Sequence, residues 1–346
     1  MTARERTADA GSLGVTSRRQ FALLAAGVAI TGCGDSGSPA GGGSAAGASA
    51  AGASAAGASA AGATSLAGGA STLPPATAAK SKKRGIAYND LVAAEDFEAL
   101  APGVSWWYNW ATKPGTGSTS SSRTAHGMDF IPMVWGENFK DADVLALLAA
   151  DPGISYLLVL NEPNLSGQAH LTPAAAAALW PRFEQIAASS GVKLVGPQIT
   201  WGNLVVGADN YSDPVAWLDA FYAAYRASNG GQDPHLDYLG FHWYDYGLAA
   251  QLDRLTRYGK PFWVTEIANW HTGDGAAQID TPDKQMKQMT DMIATCEGRP
   301  DVHRYAWFTG RLGKSDKDVH YTSLLAEPGV LSDLGKHYVG LPFDGG

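Results

Sequence analysis

Two glutamates stand out because each of them ends an apolar run. Glu162 follows residues 156–160 and Asn161, and Glu266 follows residues 261–265. A buried apolar segment has no structural use for a carboxylate at its end, because an unpaired buried charge is costly. Two carboxylates that converge can break a glycosidic bond: one protonates the leaving oxygen, and the other attacks the anomeric carbon. The sequence therefore predicts Glu162 and Glu266 as a catalytic pair.

The elements that would position this pair alternate along the chain. From Arg84 onward, short β-rich apolar runs are separated by stretches with helical periodicity, which favours a parallel sheet with helices outside it. Eight runs are predicted as strands: residues 84–88, 104–110, 129–135, 156–163, 193–200, 238–244, 261–267 and 304–310. Eight β-α units in about 265 residues indicate an α/β fold, a single (β/α)8 TIM barrel, whose active site lies at the carboxyl ends of the strands. Glu162 and Glu266 end the fourth and seventh runs.

Two alternatives stay open at this level. Either glutamate alone is explained as a solvated or salt-bridged side chain, because a Glu-Pro step often begins a loop. An open, doubly wound sheet would also alternate strands and helices, but the first turn, Tyr88-Asn89-Asp90, lacks the glycines of a dinucleotide site. The position of both glutamates at strand ends favours the barrel and the catalytic interpretation.

Three helices are predicted to begin at prolines. A side chain that can cap a helix precedes a proline at three places: Thr172-Pro173, Asp213-Pro214 and Thr281-Pro282. Apolar residues recur at three- and four-residue spacing after the first two of them, as outer-layer helices require. Trp180 and Trp217 on these helices are expected to fill the core.

Around Glu162 the chain resembles a large clan of barrel glycosidases that retain the anomeric configuration. Asn161-Glu162-Pro163 matches the Asn-Glu-Pro signature of that clan. The resemblance implies that Glu162 is the general acid/base and that Glu266 is the nucleophile. It also implies that Asn161 forms a hydrogen bond with the 2-hydroxyl of the sugar.

A second element of the clan is found on the sixth run. His242-Trp243-Tyr244 is similar to its His-x-Tyr element, which adds His242 and Tyr244 to the candidate substrate-binding residues. Alternate residues on a strand share a face, so these two side chains are expected on one side. If that side is the interior, Tyr244 would donate a hydrogen bond to Glu266 and help to keep it ionised.

The whole domain, residues 84–340, resembles glycoside hydrolase family 128. The matching segments are residues 83–88, 105–110, 130–135, 158–164, 196–198 and 305–308. The resemblance implies endo-β-1,3-glucanase activity on laminarin- or curdlan-type glucan and adds Gln198 to the candidate substrate-binding residues. Barrels with the same glutamates cleave other glycans, so hydrolysis of mannan or cellulose stays an alternative. A surface lipoprotein that binds carbohydrate without turnover, and a scaffold lipoprotein without a ligand, are further alternatives.

Tryptophans near the strand ends are candidates for sugar contact, because aromatic faces pack against the C–H surfaces of sugar rings. Trp135 at the third run and Trp307 on the eighth are both expected to bind substrate. Trp106 and Trp107 point to opposite sides of the second run, so at most one of them faces the substrate. Trp107 is the candidate.

Composition and charge exclude several function classes. The formal charge of −8 repels polyanions, so nucleic acid is not expected as a partner, whereas a neutral β-glucan meets no such barrier. The 8 histidines form no His-Glu-x-x-His pattern, so neither a metal nor another cofactor is expected. The Gly-x-Ser-x-Gly pattern of a serine esterase is also missing from the sequence. Cys296 is expected to be a buried apolar filler rather than a nucleophile.

Residues 1–33 are predicted to be an export signal. Arg18-Arg19 precede a short apolar segment that ends at Ile30-Thr31-Gly32-Cys33, and this ending resembles a bacterial lipobox. The apolar segment is too short for a hydrocarbon core, which needs about 20 residues. Cys33 is therefore predicted to be lipidated, and the protein to be exported and anchored to the bacterial membrane or cell surface. An ordinary signal with an incidental cysteine is the alternative.

Residues 34–80 are predicted to be a disordered linker, and residues 81–346 the catalytic domain. The linker consists almost entirely of Ala, Gly, Ser, Thr and Pro, so it has too few large apolar side chains to offset the entropy of folding. A flexible coil of this length reaches roughly 35–40 Å. The single domain is expected to act as a monomer on this tether.

Overall fold

The computed structural model describes residues 79–343, with the exception of Asp90, Val92, Asp274 and residues 313–316. The predicted export signal, including Cys33, lies outside the described residues, and so does the predicted linker except for its last two residues. No helix in the described part of the chain is long and apolar enough to cross a membrane.

Strands and helices alternate through most of the described ranges. In chain order the elements are β1 (Arg84–Ala87), α1 (Ala94–Leu100), β2 (Trp106–Tyr108), α2 (Ser121–His126), β3 (Asp129–Phe130), β4 (Met133–Val134), α3 (Asp141–Ala150), β5 (Tyr156–Val159), α4 (Pro173–Ser190), β6 (Lys193–Ile199), β7 (Val205–Val206), β8 (Asp209–Asn210), α5 (Pro214–Ser228), β9 (Tyr238–Trp243), α6 (Leu248–Leu255), β10 (Phe262–Ile267), α7 (Pro282–Gly298), β11 (Val302–Phe308), β12 (Leu325–Glu327), β13 (Val330–Leu331) and α8 (Asp333–Gly340).

Nine of these strands form one curled sheet in the order β3-β2-β1-β11-β10-β9-β6-β5-β4. Every pair of neighbours in this sheet is parallel. The remaining strands form two antiparallel hairpins, β7-β8 and β12-β13. The fold is therefore α/β and barrel-like. Because the nine strands are parallel, all their carboxyl ends lie at the same side of the sheet.

All eight predicted runs contain strands, but the third run is divided. Residues 129–135 form β3 and β4, which are separated by Ile131 and Pro132. Proline has no N–H to donate to a strand ladder, which accounts for the break. β3 pairs with β2 at one edge of the sheet, and β4 pairs with β5 at the other edge. The two edge strands are therefore consecutive in the sequence.

Alternate residues of the strands pack into two separate apolar clusters. The inner cluster is formed by residues of the strands and contains Trp106, Tyr108 and Trp263. The outer cluster joins the intervening strand residues, such as Trp107 and Val264, to the buried faces of the helices. The two clusters define an inner and an outer face of the sheet, and the face decides what each side chain can touch.

The predicted helix starts are confirmed. α4, α5 and α7 begin at their prolines, and the residue before each proline accepts a hydrogen bond from a backbone N–H of the first turn. Trp180 and Trp217 are fully buried in the outer cluster, as predicted. Cys296 is also buried there, and burial holds the pKa of its thiol far above its ordinary value, so it is an apolar filler.

Candidate active site

The carboxyl end of β10 contains a bulge that determines where Glu266 points. Val264 pairs with Phe241 and Glu266 pairs with the next residue, His242, so Thr265 is an extra residue on β10. Val264 lies on the outer face. Regular alternation would place Glu266 on that same face, whereas the bulge lets it point to the inside.

The segment after β5 is strained. Leu160 and Glu162 have positive φ angles of 55° and 45°. Left-handed backbone costs a residue with a side chain about 1–2 kcal/mol, and such strain persists only where the surroundings enforce it. Here the Asn161 N–H donates to Trp135 O (2.8 Å), and the Glu162 N–H donates to Gln198 O (2.9 Å). The neighbouring strands therefore hold Glu162 at the strand end in a fixed position.

The side chains of Glu162 and Glu266 come together with that of His242. One carboxylate oxygen of each glutamate and one ring nitrogen of His242 all lie within 4.8 Å of one another. Both glutamates are largely removed from water, with exposures of 6% and 5%. Retaining glycosidases hold their two carboxyl groups about 5–5.5 Å apart, whereas inverting enzymes leave about 6.5–9.5 Å for a water molecule. The close approach fits the retaining arrangement.

Three side chains donate hydrogen bonds to Glu266. Tyr108 (3.0 Å) and the indole N–H of Trp110 (2.7 Å) reach Oε1, and the Tyr244 hydroxyl reaches Oε2. The hydrogen bond that was predicted from Tyr244 to Glu266 is thus confirmed. Burial, followed by the negative charge of Glu266, raises the pKa of Tyr108 and of Tyr244 well above the ordinary value, so both remain donors. These donors stabilise Glu266 as a carboxylate.

Glu162 has a different environment. Its Oε1 lies 2.8 Å from Nδ1 of His242. Burial raises the pKa of the Glu162 carboxyl, and the nearby His242 offsets only part of this rise. Burial lowers the pKa of His242, but the charge of Glu266 and the hydrogen bond with Glu162 outweigh it and raise the pKa. Glu162 is therefore pushed towards its protonated form, beside a second glutamate that accepts three hydrogen bonds.

Asn161 offers an unused acceptor beside this pair. Its Nδ2 donates to Gln168 Oε1 at 2.9 Å, while its buried Oδ1 has no hydrogen-bond partner among the described residues. A buried acceptor without a partner is destabilising unless a ligand supplies the hydrogen. The geometry fits the contact with a sugar hydroxyl that the family resemblance implies for Asn161.

The predicted substrate contact is wrong for two of the tryptophans. Trp107 and Trp307 are buried, with exposures of 2% and 0%. Their indole N–H groups donate to Ser122 Oγ and Thr322 O, both at 2.9 Å. Both rings belong to the outer cluster, between the sheet and the helices, where no sugar can reach them. Trp106 is buried in the inner cluster, so neither ring of the pair faces the substrate.

Gln198 and His242 were also predicted to bind substrate, and the structure places both of them behind the glutamates. Both have an exposure of 0%. The Gln198 amide is bonded to Val195 O and to the Thr265 hydroxyl, and the ring nitrogens of His242 face Glu162 and Thr265. The two side chains lie behind the glutamates and position them.

Trp135 and Tyr244 remain open to a ligand. Trp135 follows β4 and is 36% exposed. Tyr244 is partly exposed, and its ring lies 4.3 Å from the ring of Trp270 between centroids. Both residues directly follow a strand, β4 for Trp135 and β9 for Tyr244, and their contact with sugar stays a prediction.

Tyr108 and Trp110 hold Glu266 but were not among the predicted site residues. Their spacing is the signal that groups them on one face. Trp106, Tyr108 and Trp110 follow one another at two-residue intervals, so all three share the inner face, with Trp110 nearest to the carboxyl end. Choosing Trp107 selected the opposite face.

Glu162, His242 and Glu266 also have the composition of a metal site. However, both ring nitrogens of His242 are engaged in hydrogen bonds, and both oxygens of Glu266 accept hydrogen bonds. A cation would have to displace these contacts. The cluster is better suited to acid-base and nucleophilic chemistry.

Comparisons with known proteins agree with this geometry. Residues 85–338 match a family model described as "Glycosyl hydrolase catalytic core". No match is found among curated proteins.

Three crystal structures of similar proteins cover the described domain. An endo-β-1,3-glucanase of GH128 subgroup II from Pseudomonas viridiflava is 55% identical, with a TM-score of 0.73 over 77% of this chain and 100% of that one. A subgroup II enzyme from Sorangium cellulosum is 35% identical, with a TM-score of 0.61 over 75% and 99%. A subgroup I enzyme from Amycolatopsis mediterranei, in complex with laminaritriose, is 27% identical, with a TM-score of 0.57 over 75% and 99%.

Proposed function

The chain belongs to glycoside hydrolase family 128, and on this premise we propose that it is a retaining, endo-acting β-1,3-glucanase. The observation that carries the proposal is the approach of Glu162 and Glu266 to within 4.8 Å, where burial raises the pKa of Glu162 and three side chains donate hydrogen bonds to Glu266. The substrate class is supported by the similar structures, which are endo-β-1,3-glucanases, one of them with bound laminaritriose.

In the first step, Glu266 attacks the anomeric carbon and forms a covalent glycosyl ester, while Glu162 gives its proton to the departing glycosidic oxygen. In the second step, Glu162 accepts a proton from water, the water oxygen attacks the same carbon, and Glu266 leaves as a carboxylate. Two inversions give net retention. The donors on Glu266 suit a nucleophile that must be charged, and the burial of Glu162 suits an acid that must carry a proton.

Substrate contacts are proposed for the residues that have free surface or free hydrogen-bonding capacity. The orphan Oδ1 of Asn161 would accept a hydrogen bond from the 2-hydroxyl of the sugar bound beside Glu162. Trp135 would pack against a sugar ring at the edge of the site. A neutral glucan chain suits a protein with a formal charge of −8.

The fold is proposed to be a closed (β/α)8 barrel. Its eight strands would be the eight predicted runs, with β3 and β4 as two halves of one strand that Pro132 interrupts. Two backbone hydrogen bonds support this continuity: the Ile131 N–H donates to Trp107 O at 2.9 Å, and the Leu158 N–H donates to Pro132 O at 3.0 Å. One divided strand would thus link β2 to β5.

The location is also a proposal, and it rests on the sequence pattern of residues 1–33. The enzyme would be exported, lipid-anchored through Cys33 and monomeric on its Ala/Gly/Ser linker. Metabolic labelling with a radioactive fatty acid tests the anchor. Label that survives in Cys33→Ser, or is missing from the natural chain, contradicts it.

Product analysis tests the activity. The purified chain is incubated with laminarin, curdlan, mannan and cellulose, and reducing ends and oligosaccharide lengths are followed together with the anomeric signal in proton NMR. We expect short laminari-oligosaccharides of several lengths that are first released as β-anomers. Products from mannan or cellulose alone would reassign the substrate, and binding to laminarin without products would indicate a carbohydrate-binding lipoprotein.

A further inference from the structure

A chain of hydrogen bonds leads from the backbone of β6 to Glu162. Gln198 Nε2 donates to Val195 O (2.7 Å), and the Thr265 hydroxyl donates to Gln198 Oε1 (2.6 Å). Thr265 Oγ1 lies 3.0 Å from His242 Nε2, and His242 Nδ1 lies 2.8 Å from Glu162 Oε1. Gln198, Thr265 and His242 all have an exposure of 0%, so the chain is shielded from water.

The donor and acceptor of each of these hydrogen bonds follow from the first acceptor, the backbone carbonyl of Val195. Val195 O can only accept, so the atom of Gln198 that faces it must be the amide nitrogen. Gln198 Oε1 therefore faces Thr265 and takes the single hydroxyl hydrogen. Because that hydrogen is committed, Thr265 Oγ1 can only accept from His242, and Nε2 must carry a proton.

This constraint reaches Glu162 through the other ring nitrogen. With Nε2 protonated, a neutral His242 has a lone pair on Nδ1, which accepts a hydrogen from protonated Glu162. A charged His242 instead donates from Nδ1 to the carboxylate. In both states one proton lies between Nδ1 and Oε1. Its removal would leave a lone pair facing a carboxylate at 2.8 Å in a buried site, which is unfavourable.

The backbone around Gln198 leaves room for this amide. A Cβ atom on Gly240 would lie 2.1 Å from Gln198 Oε1, and one on Gly196 would lie 3.2 Å from Nε2. β9 and β6 thus approach the amide at two positions where the residue has no side chain. The amide is built into the sheet, and it holds the Thr265 hydroxyl in one orientation.

We propose that Thr265 and Gln198 are positioning residues that fix the ring tautomer of His242 and thereby keep the acid proton on the Glu162–His242 pair. The inference rests on the proposed role of Glu162 as general acid. Neither residue is in contact with the reacting groups of the substrate in this arrangement. They act through His242.

Other titratable groups face the same centre. Glu266 on β10 has Oε2 at 3.3 Å from His242 Nδ1, and the hydroxyls of Tyr108 on β2 and Tyr244 on β9 are bonded to Glu266. The two tyrosines keep their protons, because burial and the charge of Glu266 raise the pKa of each. Substitution of Thr265 or Gln198 leaves all three groups in place, so a changed pH profile reports on the hydrogen-bond chain.

The test compares pH profiles of kcat/KM on laminarin for the natural enzyme, Thr265→Val, Gln198→Met and Thr265→Ser. Valine removes the hydroxyl. Methionine frees the hydroxyl to turn and donate to Nε2. In either variant, neutral His242 can carry its proton on Nδ1 and donate to ionised Glu162, so Glu162 loses its acid proton more easily. We expect the basic limb to move down by about one pH unit in both variants and to keep its position in Thr265→Ser.

Nitrogen-15 NMR gives a second readout, which is measured on the natural enzyme and needs a variant only for assignment. We expect the His242 signals, assigned by their loss in His242→Gln, to show a protonated Nε2 across the pH range of activity. An unprotonated Nε2, or unchanged basic limbs in folded Thr265→Val and Gln198→Met, would overturn the inference. A natural enzyme that releases no product from any glycan would instead refute the proposed function.

Discussion

At the amino-terminal end of the sheet, Lys80, Lys83 and Arg84 donate hydrogen bonds to backbone carbonyls, whereas at the carboxyl-terminal end Glu162 and Glu266 are buried side by side. Lys80 reaches one carbonyl each at the ends of α1 and α2 and a third, Val104 O, before β2, and Lys83 reaches carbonyls at the end of α7. Arg84 reaches the end of α8. The last carbonyls of a helix lack partners within the helix, so these cations satisfy groups that would otherwise be unpaired.

The carboxyl-terminal end of the sheet instead contains features that lower the stability of the fold. Leu160 and Glu162 have left-handed backbones, the Oδ1 atom of Asn161 is unpaired, and two glutamates share a small volume. Each of these features lowers stability, and each prepares the site for a substrate. Charges at the amino-terminal end of the sheet therefore stabilise the fold, while charges at the carboxyl-terminal end are kept for chemistry.

The largest expected effect is on catalysis at the carboxyl-terminal end. We expect Glu162→Gln and Glu266→Gln each to lower kcat/KM on laminarin by about 10³-fold or more, without lowering the melting temperature, because each change removes a reacting group and no packing. Near-natural rates in either variant would reassign the roles.

Rescue by azide separates the two glutamates. With an activated aryl glucoside, Glu266→Ala should yield the α-glycosyl azide, because azide attacks in place of the nucleophile. Glu162→Ala should yield the β-anomer, because azide attacks the glycosyl enzyme in place of water. The same anomer from both variants would contradict the division of roles.

Arg84→Met should produce the largest effect at the amino-terminal end, and on stability alone. Arg84 is 1% exposed and donates to the Tyr305 hydroxyl (2.9 Å), Tyr338 O (2.7 Å) and Leu341 O (2.9 Å). Its loss leaves buried acceptors unpaired, so we expect denaturant melts to show about 3 kcal/mol less free energy of unfolding. The folded fraction should keep its kcat/KM.

A matched surface cation serves as the control for Arg84. The exposed Lys336 forms an ion pair with the exposed Asp333 at 2.9 Å. Lys336→Met should change the free energy of unfolding by about 0.5 kcal/mol or less. An equal loss of free energy of unfolding in the two variants, or a fall in kcat/KM for Arg84→Met, would contradict the assignment of Arg84 to stability alone.

A smaller effect is expected from single donors to Glu266. Tyr244→Phe removes the hydrogen bond to Oε2 and should lower kcat by about 10- to 100-fold. Tyr222→Phe is the control, because the Tyr222 hydroxyl is buried on α5 with no hydrogen-bond partner among the described residues. If both variants reduce kcat equally, the effect is general destabilisation and the donor has no specific role.

The sequence predicted the elements and the ends on which the chemistry lies. Apolar runs that end in a polar residue identify the strand ends at Glu162 and Glu266, and capping residues before prolines identify the starts of three helices. These features depend on local periodicity and on local hydrogen bonds, which a single sequence displays.

Which side chains of each strand point to the inner face could not be predicted in the same way. Whether Trp107 or Trp106 and Tyr108 point inward depends on how the second run pairs with its neighbours, which is a long-range property. Near Glu266, the bulge at Thr265 interrupts the regular alternation of side chains between the two faces of β10. The chain of contacts through Gln198 and Thr265 also joins residues from three strands, so no local pattern displays it.

The smallest effect separates the exposed tryptophan from the buried one. Trp135→Ala should raise KM for laminarin about 10-fold, or about 1.4 kcal/mol, because a ring that packs against sugar is lost while the fold is kept. Trp307→Phe should lower the melting temperature and leave KM unchanged, because its ring fills the outer cluster and its N–H is bonded to Thr322 O. A KM that rises in Trp307→Phe but not in Trp135→Ala would mean that the face assignment of these strands, and with it the position of the substrate, is wrong.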